Sequence, residues 1–599
     1  MSQLMEQRGE KRWQGTPVCR GIAIGSPFLL RHQLTSSTVE MAIGEKSHPS
    51  LNKEREVMRY RAALQRCRGD IALLRQQMEN EKISQGVSIL ESHLEILEDP
   101  LITEEIELLI HHGNKTAEQA FRLAIDSYKK QFDAMRDTFF RSRFADIEDV
   151  ARRILSHLLH GEAPCLASLP PATVVFAKEL SASDAAEADP ERIAAFVTES
   201  GGVSTHAAII AKAKAIPYIG RIPFEEMNQL AIEQVIIDGR TGELIINPRK
   251  ETLDYYRALQ ERLQLQVAEL EEGALENSET CDGLQMRVCA NIETTEEVTL
   301  LHQYGGAGIG LLRTENLFLF NDTFPSEEEQ TCHYSRFVQE MEGLPITIRT
   351  FDIGGDKSFM GRIEGSGEPF FVGCRAIRFL LQEKTIFKRQ LRAILRASVG
   401  GVVQLLFPMI SSLPELYQAK ELLEEARQEL VREGVLPEEE KILVGSMIEI
   451  PSAALIADIL AKECDFLSIG TNDLIHYSLA VDRSHQPFAP FHAQCHPCLL
   501  RLIKMVVFEA NLNGIPVSVC GEIASDPRFT APLLGLGVHE LSVPCRYLPL
   551  IKRTIRYINA IDAVQLAEEA LTLGTSQEVQ QLFADAYRKL APEDYFYNY

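Results

Sequence analysis

Between residues 51 and 80 the apolar positions Val57, Tyr60, Leu64, Cys67, Ile71, Leu74 and Met78 recur at steps of three and four. That spacing lines one face of a helix. Helical patterns follow at 86–98, 101–112, 115–138 and 145–160, with turn signals at Asp99-Pro100 and His112-Gly113. Helices joined by such short connections predict an antiparallel bundle. On either side the pattern changes. Residues 16–45 and 172–247 carry short apolar runs between turn signals: VVFA at 174–177, AAFVTE at 194–199, and QVIIDGRTGELIINP at 234–248. The last predicts two strands around a Gly-containing turn. An amphipathic helix over 249–271, with Tyr256, Leu263, Val267 and Leu270, leads into polar ALENSET, the predicted interdomain boundary.

Beyond the boundary, strand-like and helix-like segments alternate. Eight candidate strands stand out: 286–292, 308–314, 346–352, 402–408, 443–450, 465–470, 516–521 and 539–544. Eight strands with helical stretches between them predict a (β/α)₈ barrel, whose functional residues gather at the C-terminal strand ends. Those ends carry Asn291, Arg313, Arg349, Glu449, Asn472, Asp473 and Cys520. Apolar strands that repeatedly end in polar residues are hard to explain by packing alone. The fold class is therefore multidomain α/β: an N-terminal α/β domain with an inserted helical bundle, then a C-terminal barrel.

Composition narrows the classes. The chain has 599 residues, 45% hydrophobic and 24% charged, so sizeable cores are affordable and the composition argues against global disorder. A net charge of -24 argues against a nucleic-acid partner, whose phosphates want a basic surface. The first fifteen residues have no apolar signal core, and no run reaches the length of a membrane span. Twelve scattered cysteines fit a reduced, cytoplasmic chain. Cys495 and Cys498, with His492 and His496 nearby, approach a metal-knuckle spacing, but no second pair completes a zinc site.

The polar strand ends suggest chemistry. Arg313, Arg349, Arg375 and Arg483 offer planar, permanently charged forks for a ligand bearing phosphate and carboxylate. Taken singly, each could be a surface ion pair. Glu449 and Asp473 supply hard oxygens of the kind Mg²⁺ prefers, or Glu449 pairs with an arginine instead. Cys520, in SVCGEIA, could protonate a bound enolate, or it is a buried structural thiol.

A second candidate lies in TESGGVSTHAAIIAKAKAIPYIG, 198–220. Gly201-Gly202 permits a tight turn, and Ser204 or Thr205 can cap a helix beginning near His206. A neutral imidazole beside free helix N–H groups is a competent phosphoryl acceptor. A cap or a core residue is the plainer alternative.

GGVSTHAAIIA resembles the phosphohistidine signature of the phosphoenolpyruvate-utilising enzymes. GIGLLRTENLF, TFDIGGDK, FPMIS, SIGTNDLIHYSLAVDR and VCGEIASDP resemble successive blocks of their barrel, and the likeness runs from Thr16 to Lys552. It is strongest to the branch that passes the phosphoryl group to a protein, the enzyme I class of the bacterial sugar phosphotransferase system. The resemblance implies phosphorylation of His206, with Arg313, Arg349, Arg375, Arg483, Asn472 and Asp473 binding phosphoenolpyruvate. It implies Mg²⁺ on Glu449 and Asp473, and proton donation by Cys520. It also implies a phosphohistidine domain at 16–48 and 161–248, and a bundle at 49–160 that docks the phosphocarrier HPr. A linker helix would occupy 249–275. The barrel, 276–599, would form a homodimer, and the histidine domain would swing between HPr and the barrel.

Departures from the pattern are Ser204-Thr205 where Thr-Ser is usual, Cys19-Arg20-Gly21 for Ser-Pro-Gly, and Pro369-Phe370 for Asn-Pro. Ile475-His476 stands for Thr-Gln, and Glu95 occupies a commonly apolar site. None removes a catalytic group. The dikinase and synthase branches would need a nucleotide-binding domain, and no Walker motif is present. A degenerate regulator would lack one of the key residues. A nitrogen-regulatory form would carry a sensory domain ahead of the first strand.

Overall fold

The computed structural model describes residues 9–30, 52–81, 83–113, 115–134, 138–159, 166–202, 205–224, 227, 231–319, 324–353, 374–480 and 494–591. The chain forms two compact units, one up to Gln264 and one from Leu265 onward. Arg483, Ser204 and Pro369-Phe370 lie outside the described residues.

The first unit combines a sheet and a bundle. Its strands are β1 Lys11–Gln14, β2 Thr16–Cys19, β3 Ile22–Leu30, β4 Thr173–Ala177, β5 Ile193–Thr198, β6 Tyr218–Gly220, β7 Val235–Asp238 and β8 Glu243–Ile246. They lie in the order β1-β8-β7-β3-β4-β5-β6-β2. β3 to β6 run parallel, and β7 pairs with β8 as the expected hairpin. Gly242, at φ +80°, takes the left-handed backbone that this turn requires.

The inserted helices are α1 Lys53–Asn80, α2 Ser84–Ile96, α3 Ile106–Gly113 after a π-helical turn at Leu101–Glu105, α4 Ala117–Ala134 and α5 Thr138–Leu159. On α1 the buried face comprises Val57, Tyr60, Ala63, Cys67, Ile71, Leu74 and Met78. Ala63 takes the inner position expected of Leu64, which is half-buried. α5 begins seven residues before its sequence-predicted start at 145. α6 Ala182–Glu187 and α7 His206–Ala213 follow, and α8 Lys250–Glu272 closes the series. The bundle shares one apolar core with α6, α7 and the sheet face beneath them. That shared core brings bundle side chains beside His206.

The second unit is a closed barrel of eight parallel strands. They are β9 Arg287–Ile292, β10 Ile309–Leu312, β11 Ile346–Arg349, β12 Val403–Phe407, β13 Leu443–Ile448, β14 Phe466–Ile469, β15 Val517–Val519 and β16 Glu540–Pro544. Every predicted strand is present, each a residue or more shorter at one end or both. Inside, Leu311, Leu406, Met447, Phe466 and Cys520 form a small buried cluster. Gly445 makes room for it, since a Cβ there would strike the Phe466 ring. The interior is packed, and in barrels of this kind functional residues gather at the C-terminal rim.

Candidate functional site

In the first unit, the N-cap of α7 is Thr205, whose Oγ1 accepts from the backbone N of Ala208 at 3.2 Å. The preceding turn depends on Gly201, at φ +122°, where a Cβ would press on the Tyr218 hydroxyl. His206 is thus the first helical residue, half-exposed at the end that carries unpaired N–H groups. Its Nδ1 donates to Oδ1 of Asp146 on α5, 2.8 Å away. Burial would raise the Asp146 carboxyl, but the hydrogen bond from His206 and the nearby His93 ring outweigh it and bring it down to about 2. It is therefore a carboxylate, and the bond requires the proton to sit on Nδ1. The bond to Asp146 raises His206 above its ordinary 6.5, against the opposing effect of burial. The arrangement leaves Nε2 bare, as an activated imidazole needs.

In the second unit, guanidinium and carboxylate groups interleave on the barrel rim. Arg313, just past β10, donates to Glu293 at 2.7 Å and remains partly exposed. Arg349, at the end of β11, donates to Glu315 at 2.9 Å and lies 3.3 Å from Asp352. Arg375 holds Asp352 in a fork, at 2.7 Å from Nε and 2.9 Å from Nη2, and reaches Asp473 at 3.2 Å. Burial alone would raise Asp352; Arg349 and Arg375 outweigh it and hold it below its ordinary value. Backbone strain accompanies the cluster. Ala376 and Met409 both have positive φ, 52° and 56°, beside Arg375 and Glu449.

Glu449 follows β13 directly and is almost fully buried, accepting from the backbone N of Met409 at 2.6 Å. Burial, then repulsion from Asp352 and Asp473, pushes its carboxyl up to about 8. A cation beside Glu449 would relieve that repulsion, and carboxylate oxygens are of the hard kind Mg²⁺ prefers, although among the described residues no cluster of three or more His, Cys, Asp or Glu side chains forms a metal site. Asn472 and Asp473 do not end a strand as expected. They lie in the first turn of the helix Thr471–Leu479, beyond the end of β14. Asn472 is fixed there by two hydrogen bonds with Glu522, at 3.2 and 3.0 Å.

Cys520 caps β15 at the inner edge of the rim. Its Sγ receives the Ser468 hydroxyl at 3.4 Å and faces the carbonyl of Ile469 at 3.7 Å. Burial raises its pKa, so the thiol keeps its proton at neutral pH. Asn291, the remaining strand-end residue, donates to the Cys520 carbonyl at 3.1 Å.

The structure thus brings together Arg349, Arg375, Glu449 and Asp473. Arg313 pairs with Glu293 and its charge is felt by both Asp352 and Cys520, while the place of Arg483 is not described. Sequence reasoning missed Glu315, Asp352, Asp146 and His93. The first two sit two and three residues after Arg313 and Arg349, inside motifs already singled out. Asp146 and His93 lie in helices read only as bundle.

Three family descriptions match the chain: PEP-utilising enzyme, N-terminal, over 14–143; mobile domain, over 169–242; and PEP-binding domain, over 268–560. The chain is 36% identical over 572 residues to a protein of Listeria innocua named phosphoenolpyruvate-protein phosphotransferase, covering 96% of this chain and 98% of the relative. Proteins of the same name from Priestia megaterium and Staphylococcus carnosus are 36% and 34% identical. They cover 95% and 97% of this chain, and 98% and 100% of their own lengths. With relatives this similar along nearly the whole chain, and with three consecutive domain matches, the chain belongs to the phosphoenolpyruvate-utilising enzyme family.

Proposed function

We propose that this chain is a phosphoenolpyruvate–protein phosphotransferase, acting in the cytoplasm, that phosphorylates its own His206 and passes the group to a histidine of HPr. The observation that carries this reading is the His206–Asp146 bond, which leaves Nε2 as the bare nucleophilic nitrogen. Arg313, Arg349, Arg375 and Arg483 hold the phosphate and carboxylate, with Asn472 and Asp473 completing the substrate's surroundings. Glu449 and Asp473 would hold Mg²⁺, which when bound supplies positive charge beside the phosphoryl group and the departing enolate. His206 attacks phosphorus in line through Nε2, while Asp146 steadies the ring as positive charge develops on it. Cys520 then gives its proton to C3 of the enolate, which leaves as pyruvate. Stabilisation comes from positioning and fixed charge more than from covalent chemistry.

The bundle is proposed as the HPr dock. The barrel is proposed to form a homodimer through the helices at 451–463 and 497–512. In support, Leu455, Ile459, Phe508 and Leu512 are exposed there by 39–67%. No described helix is long and apolar enough to cross a membrane. The test is pyruvate release followed by a coupled assay. Sustained turnover should require phosphoenolpyruvate, Mg²⁺ and HPr together; turnover independent of HPr would refute the acceptor assignment.

A further inference from the structure

Asp146 does not face His206 alone. His93, on α2, is fully buried, and α2 packs against both α5 and α7. Its Nε2 lies 3.5 Å from Oδ1 of Asp146, the same oxygen that accepts from His206. On the other side of the ring, Nδ1 lies 4.0 Å from Oδ2 of Asp149, which already accepts from the backbone N of Ser183 at 3.0 Å. Neither ring nitrogen of His93 has a formed hydrogen bond.

An imidazole carries at least one N–H, and a buried donor without a partner is costly. Two acceptors face this ring. Each oxygen already accepts one hydrogen bond and has a second lone pair to offer, but Oδ1 of Asp146 is nearer, at 3.5 against 4.0 Å. The proton of His93 therefore belongs on Nε2, directed at Asp146. A carboxylate held by one donor can turn about its side-chain axis. A second donor on the same oxygen restrains that turn further, and the restraint is passed to whatever the oxygen binds.

We propose that His93 is a positioning residue for phosphoryl acceptance: by donating Nε2–H to Asp146 it fixes the carboxylate that keeps His206 in its Nδ1–H tautomer. The inference rests on the reading of His206 as the acceptor. It makes the site a three-member array, His93–Asp146–His206, in which the outer histidine never touches the phosphoryl group. Positioning partners one step removed from the reacting group typically change activity by about ten- to a hundredfold, as they do around metal ligands.

The experiment is ¹⁵N NMR of the full chain labelled at histidine, at a pH where His206 is neutral, for wild type, His93→Leu and His93→Gln. In wild type, His93 Nε2 should be protonated and His206 Nε2 bare. His93→Leu should populate both tautomers of His206 and slow labelling from phosphoenolpyruvate by about tenfold. His93→Gln, which restores an N–H donor, should recover most of the loss. A bare Nε2 on wild-type His93 would overturn the proposal without any variant, so the test stands even where His93→Leu does not fold. It is equally overturned if His93→Leu is slow but keeps the His206 tautomer unchanged, since the role would then be structural. Failure of wild type to become labelled at His206 would sink the acceptor reading instead, leaving the tautomer measurement to judge the array.

Discussion

Nδ1 of His206, the first residue of α7, donates to Oδ1 of Asp146 across 2.8 Å, although the two residues lie 60 positions apart on different elements. The bond fixes which nitrogen is free, and it raises the imidazole above its ordinary 6.5. Only the neutral ring can accept a phosphoryl group. The labelling rate should therefore fall as pH drops through a value above 6.5. Asp146→Asn keeps an acceptor but loses the charge. The acid limb should shift to lower pH, and the rate at neutral pH should fall by about tenfold or more. A pH–rate profile of both proteins checks it.

The same pair bears on stability. Asp146 is lowered from 3.8 to about 2, so its contribution is present above pH 3.8 and lost as pH falls through about 2. His206 is raised, so its contribution is present below 6.5 and lost as pH rises through the elevated value. The stability gap between wild type and His206→Ala should be widest between these limits, at about pH 4 to 6.5, as measured by the Tm of the first unit.

In the barrel, Asp352 lies against two guanidinium groups, those of Arg349 and Arg375, and is nearly inaccessible. Asp352→Asn would leave both cations short of a counter-charge. Breaking a buried pair from one side costs about 3–5 kcal/mol, so the unfolding temperature of the second unit should drop. Inorganic phosphate should raise the Tm of the variant more than that of wild type, because the anion supplies the missing charge. Calorimetry with and without phosphate decides it.

Cys520 keeps its proton through burial and sits on the inner rim, where a proton donor must approach one face of an enolate. Cys520→Ala should lower turnover by about 10²–10⁴-fold. Phosphoenolpyruvate labelled stereospecifically at C3 should yield a chiral methyl group with wild type and a racemic one with the variant.

Gly521 is the neighbour of that thiol, and any Cβ there would collide with the Thr471 hydroxyl at the start of the helix bearing Asn472 and Asp473. Gly521→Ala should destabilise the second unit by about 1–3 kcal/mol and raise KM for phosphoenolpyruvate. Thermal unfolding should leave the first unit's transition unchanged.

Much of this was legible in the chain because periodicity reports local burial. The eight barrel strands announce themselves as apolar runs such as VVQLLFP and DFLSIG, several of them followed closely by polar residues. Where the ladder stops is less visible. Asp352 reads as part of the third strand, yet pairing ends at Arg349, and that shift turns Asp352 into the clamp between two arginines. Likewise Asn472 and Asp473 read as a strand end and proved to be a helix start, where backbone conformation depends on Gly470 packing against Glu449. Asp146 and His93 were hidden for a different reason. A polar residue on an amphipathic helix looks solvent-facing from its own segment, and only the packing of the bundle on α7 reverses that.

Phosphorylation of His206 is read out by incubating the purified chain with ³²P-labelled phosphoenolpyruvate and Mg²⁺, then locating the label by peptide mapping in wild type and His206→Ala. Acid-labile, base-stable phosphate is expected on His206 of wild type and none on the variant. An unlabelled wild type that is folded and magnesium-loaded, or equal labelling of the variant, would contradict it.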